Sequence, residues 1–262
     1  MLKKCDKSTK HGYKLTKHGS DQSEKIMYTI NSLGFRGEEY NTKAKKHIFV
    51  FGCSYTFGTG LNIEETWAYQ FKKLFSHMRE SDINDINLMN FSVYGVSNDH
   101  ITRNFLIQCN EVKPDLAIVL FSKMSRTEYL NGKDVKGIGI WGTERRSETI
   151  RQEVLDYYTY YTDQIGFVNL VKNILLVQNF CNSKKIDYIF CIHNGTGDLV
   201  NEKYLKNPVC SQLVNLIDRN YLCDFGLEKI DVAADNEHPG PKSNKLFAEK
   251  LFKFYEEKIT NH

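Results

Sequence analysis

Residues 46–58, KHIFVFGCSYTFG, give the strongest indication of the fold class. The run 46–51 is short, apolar and rich in β-forming residues, and Gly52 ends it, as in a buried strand of a parallel sheet. Ser54 follows at the carboxyl end of this strand. Ligands of open parallel sheets bind at that end, because loops converge there and helix N termini point their N–H groups into the same space. The stretch therefore predicts a first strand and, directly after it, a candidate site residue.

The same alternation of strand and helix continues along the chain. Trp67, Phe71 and Phe75 recur at four-residue spacing, which predicts an amphipathic helix over 64–77. Alternating strands and helices imply right-handed crossovers and a parallel sheet covered on both faces. We therefore expect an α/β fold, a three-layer α/β/α sandwich with a flavodoxin-like parallel sheet. The further strands are expected at 85–92, 114–122 and 184–194, and the further helices at 98–111, 148–183 and 243–258.

The domain organisation follows from composition. Residues 1–45 are polar and Lys-rich and predict an N-terminal extension, so that the α/β domain spans 46–262. The extension contains NSLGFRGEEY, residues 31–40, which predicts a short hairpin or an extended segment. A glycine-rich stretch over 131–147 predicts a long surface loop. The 262 residues are 41% hydrophobic, which suffices for one sizeable core.

Charge and cysteine content exclude several classes of function. The net charge of +3 provides no strong field for nucleic acid or anionic membranes. Seven cysteines without a CxxC pair predict neither a zinc ribbon nor a disulfide framework. No window reaches roughly 18 apolar residues, and no apolar stretch follows the basic N terminus. We expect a cytoplasmic protein with no metal, cofactor, nucleic acid or membrane partner.

Polar segments follow the predicted strands and precede the last helix. GCSYTFGTG covers 52–60, NFSVYGVSND covers 90–99 and SKMSRTEY covers 122–129. DNEHPGPKSNKLFAEKL covers 235–251 and runs into the final amphipathic helix. The carboxyl ends of parallel strands share one edge of a sheet, so the first three segments are expected to converge.

These segments resemble the conserved blocks of the SGNH/GDSL hydrolases. GCSYTFG followed by ETW resembles the first block, usually Gly-Asp-Ser-x-x-x-Gly, with Cys53 in the Asp place and Ser54 in the serine place. NFSVYGVSND resembles the second block, whose glycine is Gly95, and DNEHP resembles the last block, with Asp235 and His238 in the catalytic places. The resemblance covers about 46–258. It implies the three-layer fold and hydrolysis or transfer of acyl groups, commonly acetyl esters on carbohydrates or short-chain lipid esters.

The chemistry of these residues is consistent with that resemblance. A serine hydroxyl is a weak nucleophile until an imidazole accepts its proton, and His238 would do so for Ser54. Asp235, three residues before the histidine, would fix the imidazole tautomer and stabilise the imidazolium. The oxyanion needs donors, and the backbone N–H groups of Ser54 and Gly95 are candidates, with Asn98 as a third.

The third block departs from the family pattern. The resemblance places an Asn after the third strand as an oxyanion donor, but Met124 stands there, and methionine cannot donate a hydrogen bond. Ser122, Ser125, Arg126 or Asn98 could substitute, or the hole is weaker. Arg126 is also a candidate for substrate binding, although an arginine is more often solvated or paired.

Structural explanations compete with each of these assignments. Ser54 could serve only as a helix cap, Asp235 could cap a turn, and Gly95 could satisfy a turn that needs positive φ. His193, at the end of a predicted strand, is more typical of a core residue than of a metal ligand. The aromatic run over 157–161 could stack on a sugar ring, but helix packing explains it as well.

The sequence thus favours a serine esterase or acylhydrolase that cleaves a small acyl ester, with acetyl as the expected acyl group. Its partner would be a small-molecule or carbohydrate ester. Two alternatives stay open: an O-acyltransferase that acts on glycans, and a catalytically weakened binding or structural protein that retains the fold, which Met124 supports.

Overall fold

The centre of the molecule is a parallel sheet. The computed structural model describes residues 2–4, 26–131, 134–139 and 148–258. Within these ranges the sheet has four strands: β1 (Lys46–Phe51), β2 (Ile86–Asn90), β3 (Leu116–Phe121) and β6 (Asp187–Ile192). They pair in the order β2-β1-β3-β6, and all of the pairings are parallel. Leu222 adds an isolated parallel bridge to Phe190 beyond β6, in the place of a fifth strand.

Helices cover both faces of this sheet. Side chains of successive strand residues point to opposite faces, so the buried strands supply two separate cores. The helices within the described ranges are α1 (Ser54–Phe57), α2 (Trp67–Met78), α3 (Asn98–Glu111), α4 (Glu148–Tyr160), α5 (Asp163–Lys184), α6 (Glu202–Leu205), α7 (Pro208–Val214) and α8 (Pro241–Lys258). One core joins the sheet to α3 and α5, and the other joins it to α2 and α8. The predicted three-layer α/β/α architecture is confirmed.

Two of the element predictions differ from the structure in detail. The long helical region expected over 148–183 is divided into two helices, α4 and α5, because the side chain of Thr162 accepts a hydrogen bond from the N–H of Ile165 and starts a new helix. The surface loop expected over 131–147 begins with an antiparallel hairpin of β4 (Thr127–Asn131) and β5 (Asp134–Ile138). Residues 140–147 of that loop lie outside the described ranges.

The described part of the N-terminal segment packs against the domain. Phe35 is 1% exposed, and its ring makes an edge contact with Phe91 at 5.0 Å between centroids. Gly37 forms an isolated antiparallel bridge with Met89 of β2. The boundary at residue 46 stays a prediction, and this packing argues against a free extension over 26–45. None of the helices within the described ranges has the length and apolar content needed to cross a bilayer.

Candidate active site

Ser54 lies at a tight turn between β1 and α1. It begins the one-turn helix α1, and its residue is 6% exposed. Gly52 makes the turn possible, because a Cβ at that position would lie 2.1 Å from the Thr56 side-chain oxygen. The first N–H groups of a helix have no partner within the helix, so the Ser54 backbone N–H, which follows the carboxyl end of β1, has none within α1.

Side chains from other elements hold the C-terminal end of α1. A helix of four residues is not stable alone, because nucleation is unfavourable and few hydrogen bonds compensate for it. Asn90, at the end of β2, donates from Nδ2 to the carbonyl of Thr56 at 2.9 Å. Arg36 donates from Nη1 to the carbonyls of Phe57 and Gly58 at 2.7 and 2.6 Å. The position of Ser54 therefore depends on contacts that are distant in sequence.

Asp235 and His238 form a hydrogen-bonded pair in the turn before α8. The Nδ1 atom of His238 lies 2.5 Å from Asp235 Oδ2, and an ionised carboxylate can only accept, so the ring donates. The N–H groups of Glu237 and His238 both donate to Asp235 Oδ1 at 3.0 Å. Asn236 adopts φ +61°, which lets the chain fold back sharply between the two partners. This arrangement leaves Nε2 of His238 as the atom that can accept a proton.

The charge state of Asp235 follows from its surroundings. Burial alone would raise the pKa of this carboxyl group. The hydrogen bonds from the His238 ring and from the N–H groups of His238 and Glu237 outweigh burial, so the pKa of Asp235 lies below its usual value. The group is a carboxylate at neutral pH, as an imidazole-orienting residue needs to be.

The turn that carries His238 contacts the loop that follows Ser54. The carbonyl of Gly60 accepts a hydrogen bond from the N–H of Ala234 at 3.0 Å. A Cβ on Gly60 would lie 3.1 Å from Asp235 Oδ1, so the two loops touch. The ring of Tyr55 lies 5.7 Å from the ring of His238. Among the described residues, His238 has its ring hydrogen bond with Asp235 and none with Ser54 Oγ.

The second block provides one candidate donor and one clamp. Gly95 adopts φ +66°, and among the described residues no acceptor is found for its N–H. Asn98 donates from Nδ2 to the carbonyl of Ser122 and accepts from the Ser122 N–H, at 3.1 and 2.7 Å. Its side chain is buried and joins the start of α3 to the end of β3. One amide hydrogen and the carbonyl oxygen of Asn98 are engaged by the backbone, and among the described residues the second amide hydrogen is not, so its assignment as an oxyanion donor stays a prediction.

The candidates of the third block to replace the missing Asn differ in their surroundings. The Ser122 hydroxyl is buried and has no hydrogen-bond partner within the described ranges. The carbonyl of Ser125 accepts a hydrogen bond from the Tyr158 hydroxyl. Arg126 is half-buried and places Nη1 3.5 Å from the carbonyl of Val96, next to Gly95. Of these candidates, the side chain of Arg126 therefore lies against the loop that supplies the candidate donor.

A cavity of about 530 Å³ opens beside the third block. Met124, Asp99 and Tyr157 are among its lining residues, together with polar side chains of α5. Its volume is within the range of small-molecule sites, roughly 300 to 1,000 Å³. The aromatic run over 157–161 thus contributes one side chain to a cavity, while Tyr157 and Tyr158 also pack against each other at 5.0 Å between ring centroids.

Comparison with known proteins identifies the fold. No family model and no curated protein sequence matches the chain. The crystal structure of TesA covers 82% of this chain and 100% of its own, with 12% identity and a TM-score of 0.50. The chain has the SGNH hydrolase fold. The esterase EstA from Pseudoalteromonas sp. covers 82% of this chain and 99% of its own, with 13% identity and a TM-score of 0.49.

Within the SGNH fold, chemistry depends on individual residues and not on the architecture. The sequence patterns do not predict the contacts of Arg36 and Asn90 with α1. They also do not predict that the ring of His193 lies beside that of Tyr55, with the centroids 4.4 Å apart. The available signal was NSLGFRGEEY, in which glycines flank Phe35 and Arg36. An arginine between an aromatic residue and a glycine indicates a special backbone, but it does not reveal which carbonyls the guanidinium will meet.

Proposed function

We propose that this chain is a serine esterase that cleaves a small acyl ester. The observation that carries the proposal is the oriented pair of Asp235 and His238 in a turn that touches the loop after Ser54. An ionised carboxylate on one imidazole nitrogen leaves the other nitrogen basic. A serine at the start of a helix, after a parallel strand, supplies the nucleophile next to a backbone donor.

Acylation follows from this arrangement. Ser54 Oγ attacks the ester carbonyl carbon, and His238 Nε2 accepts the hydroxyl proton while Asp235 stabilises the imidazolium. The oxyanion of the tetrahedral intermediate accepts hydrogen bonds from the N–H groups of Ser54 and Gly95. When the intermediate collapses, the ester C–O bond breaks and His238 returns the proton to the departing alcohol.

Water completes the reaction. His238 removes a proton from water, the resulting hydroxide attacks the acyl-enzyme carbonyl, and the acid leaves as Ser54 regains its proton. Met124 cannot supply the third donor, and one lost donor costs about 3 kcal/mol of transition-state stabilisation. We therefore expect a slow esterase.

Incubation with an acetylated donor and a free saccharide tests whether water or a sugar hydroxyl accepts the acyl group, because transfer would produce an acetylated saccharide as well as acetate.

The cavity beside Met124 supports a substrate larger than the acyl group alone. Its walls combine the apolar side chains of Ile165 and Val209 with the polar side chains of Gln164 and Asn207. Such a mixture binds small amphipathic molecules through apolar contact and a few hydrogen bonds. We assign the alcohol portion of a small-molecule or carbohydrate ester to this cavity, because Asp99 of the second block and Met124 of the third block lie in its walls.

Replacing the nucleophile tests the proposal directly. Ser54→Ala should lower the rate of p-nitrophenyl acetate hydrolysis by about 1,000-fold or more, because the acyl-enzyme can no longer form. A fluorophosphonate probe should label the wild-type protein at Ser54 and leave the variant unlabelled. Ser183→Ala is the matched control, since Ser183 is exposed in α5. Equal rates and equal labelling for wild type and Ser54→Ala would rule out the proposed reaction.

A further inference from the structure

Arg36 is a buried cation bound by backbone carbonyls. Its residue is 1% exposed, and within the described ranges no carboxylate lies at ion-pair distance from it. Nη1 donates to the carbonyls of Phe57 and Gly58, and Nη2 donates to the carbonyl of Leu61 at 2.6 Å. The Phe57 carbonyl belongs to the last residue of α1, and the other two belong to the segment that directly follows this helix. The guanidinium therefore fixes the backbone at three points.

The surroundings of the guanidinium explain how its charge is tolerated. A buried charge is costly unless hydrogen bonds and favourable electrostatic contacts replace its hydration. The rings of Tyr28 and Phe57 lie 4.4 and 5.4 Å from the guanidinium carbon, at distances typical of cation–π contacts. Burial lowers the pKa of Arg36 to about 10, and the nearby Glu64 and Glu65 partly oppose that shift. The group remains a cation at neutral pH.

Arg36 also satisfies a requirement of the helix itself. The last carbonyls of a helix have no partner within it, and they carry the negative end of the helix dipole. In α1, which has four residues, these carbonyls are only one turn from Ser54. A planar fork of donors can bind several of them at once, whereas an ammonium group acts as a single point charge. The direction of α1, and with it the Ser54 N–H, is set by this fork.

Tyr28 extends the same contacts toward the general base. Its hydroxyl accepts a hydrogen bond from the N–H of Gly60 at 2.7 Å. The carbonyl of Gly60 accepts from the N–H of Ala234, one residue before Asp235. The segment 28–36 is therefore connected to the nucleophile helix through Arg36 and to the acid–base turn through Tyr28 and Gly60.

We propose that Arg36 and Tyr28 are positioning residues of the active site, which hold Ser54 and the Asp235–His238 pair in the geometry needed for acylation. This inference rests on the proposed esterase function. It assigns a positioning role to two residues of the N-terminal segment, although neither residue touches the reacting atoms. A role in folding alone would predict loss of stability without any change in the turnover of folded molecules.

The test compares Arg36→Met, Arg36→Lys and Tyr28→Phe in the full chain. Measurements are made below the unfolding transition of each variant, and activity is expressed per folded molecule from circular dichroism. Arg36→Met should lower kcat for p-nitrophenyl acetate by about 100-fold with KM within about threefold, since a misplacement near 1 Å costs about that much. Arg36→Lys should recover part of the loss, and Tyr28→Phe should lose about tenfold, because only one Gly60 hydrogen bond is removed.

Lys72→Met is the matched control. The Lys72 side chain is 4% exposed and donates both of its hydrogen bonds to Glu38 of the same N-terminal segment. It should lose stability as Arg36→Met does, while its kcat per folded molecule stays near wild type. If Arg36→Met matches Lys72→Met in kcat and in the rate of fluorophosphonate labelling, Arg36 acts on folding alone and the inference is overturned.

The labelling rate separates this inference from the proposed function. Wild-type protein that is labelled at Ser54, together with an unaffected Arg36→Met variant, would refute only the positioning role. If the wild-type protein is not labelled at Ser54 and does not hydrolyse the ester, the proposed esterase function itself is refuted. Slower labelling of Arg36→Met than of Lys72→Met supports both.

Discussion

The pKa of the His193 ring depends on burial and on the charged side chains near the candidate active site. The ring lies at the end of β6, is 7% exposed, and packs on Tyr55, which in turn contacts His238. Burial lowers the pKa of His193 to about 4, and the neighbouring side chains of Lys123, Arg126 and His238 act in the same direction. A neutral imidazole holds water less strongly than an imidazolium. It is therefore compatible with the removal of water around the ester group when a substrate binds at this edge of the sheet.

This pKa shift predicts a pH-dependent stability. Folded His193 stays neutral down to about pH 4, whereas the unfolded chain binds a proton below about pH 6.5, so acid favours unfolding within that window. The contribution is complete above pH 6.5 and disappears as the pH falls toward 4. Wild type should therefore lose about 2 to 3 kcal/mol more unfolding free energy than His193→Gln between pH 7 and pH 4.5. Urea titrations at both pH values measure the difference, and equal losses would contradict the shift.

At the same scale, the sequence predicted residues whose roles are local. Asp235 and His238 are three residues apart, so their pairing follows from one short motif. Ser54 could be placed because it directly follows an unmistakable strand. The partners of Arg36 could not be predicted, since its three carbonyl contacts depend on how distant segments pack.

Between elements, the side chain of Asn98 joins two secondary-structure units. It connects the N terminus of α3 to the backbone of Ser122 beyond β3, in both directions of hydrogen bonding. Because β1 lies beside β3 in the sheet, this clamp fixes the loop that faces the Ser54 turn. The clamp therefore fixes the position of α3 relative to β3.

The clamp predicts a loss of stability when it is removed. Asn98→Ala leaves the buried N–H and carbonyl of Ser122 without partners, which should lower the free energy of unfolding by about 2 kcal/mol. Asn98→Asp keeps the acceptor for the Ser122 N–H and should be less destabilising at pH 7. Urea unfolding followed by circular dichroism measures both variants. An unchanged midpoint for Asn98→Ala would show that the clamp carries no stability.

Element boundaries show where sequence patterns are sufficient. The periodic helix 98–111 was predicted with the observed ends, because Ser97 caps it and the apolar spacing continues to its last turn. The break between α4 and α5 was missed, since the aromatic run continues a helical pattern through residue 161. The hairpin of β4 and β5 was missed because glycines over 131–147 suggested a loop, whereas the backbone pairs there in register.

Across the whole molecule, the sheet separates two cores, and the N-terminal segment contributes Phe35 to one of them. Phe35 packs with Phe91 on the face covered by α3 and α5. The face covered by α2 and α8 receives residues from the strands and from these helices. The alternation of side chains between the two faces of each strand could be predicted from sequence. The packing of Phe35 against the sheet could not, because it depends on a chain reversal that no strong sequence pattern marks.

This asymmetry predicts the consequence of starting the chain at residue 46. Such a chain lacks Phe35, whose loss alone costs about 3 to 5 kcal/mol, and it also leaves the three carbonyls bound by Arg36 without a donor. Together these losses approach the total stability of a typical domain, about 5 to 15 kcal/mol. We expect the 46–262 chain to show no cooperative urea transition, whereas full-length Phe35→Ala, which keeps Arg36, should unfold cooperatively at a lower midpoint. A truncated chain with the wild-type midpoint would instead establish residue 46 as a true domain boundary.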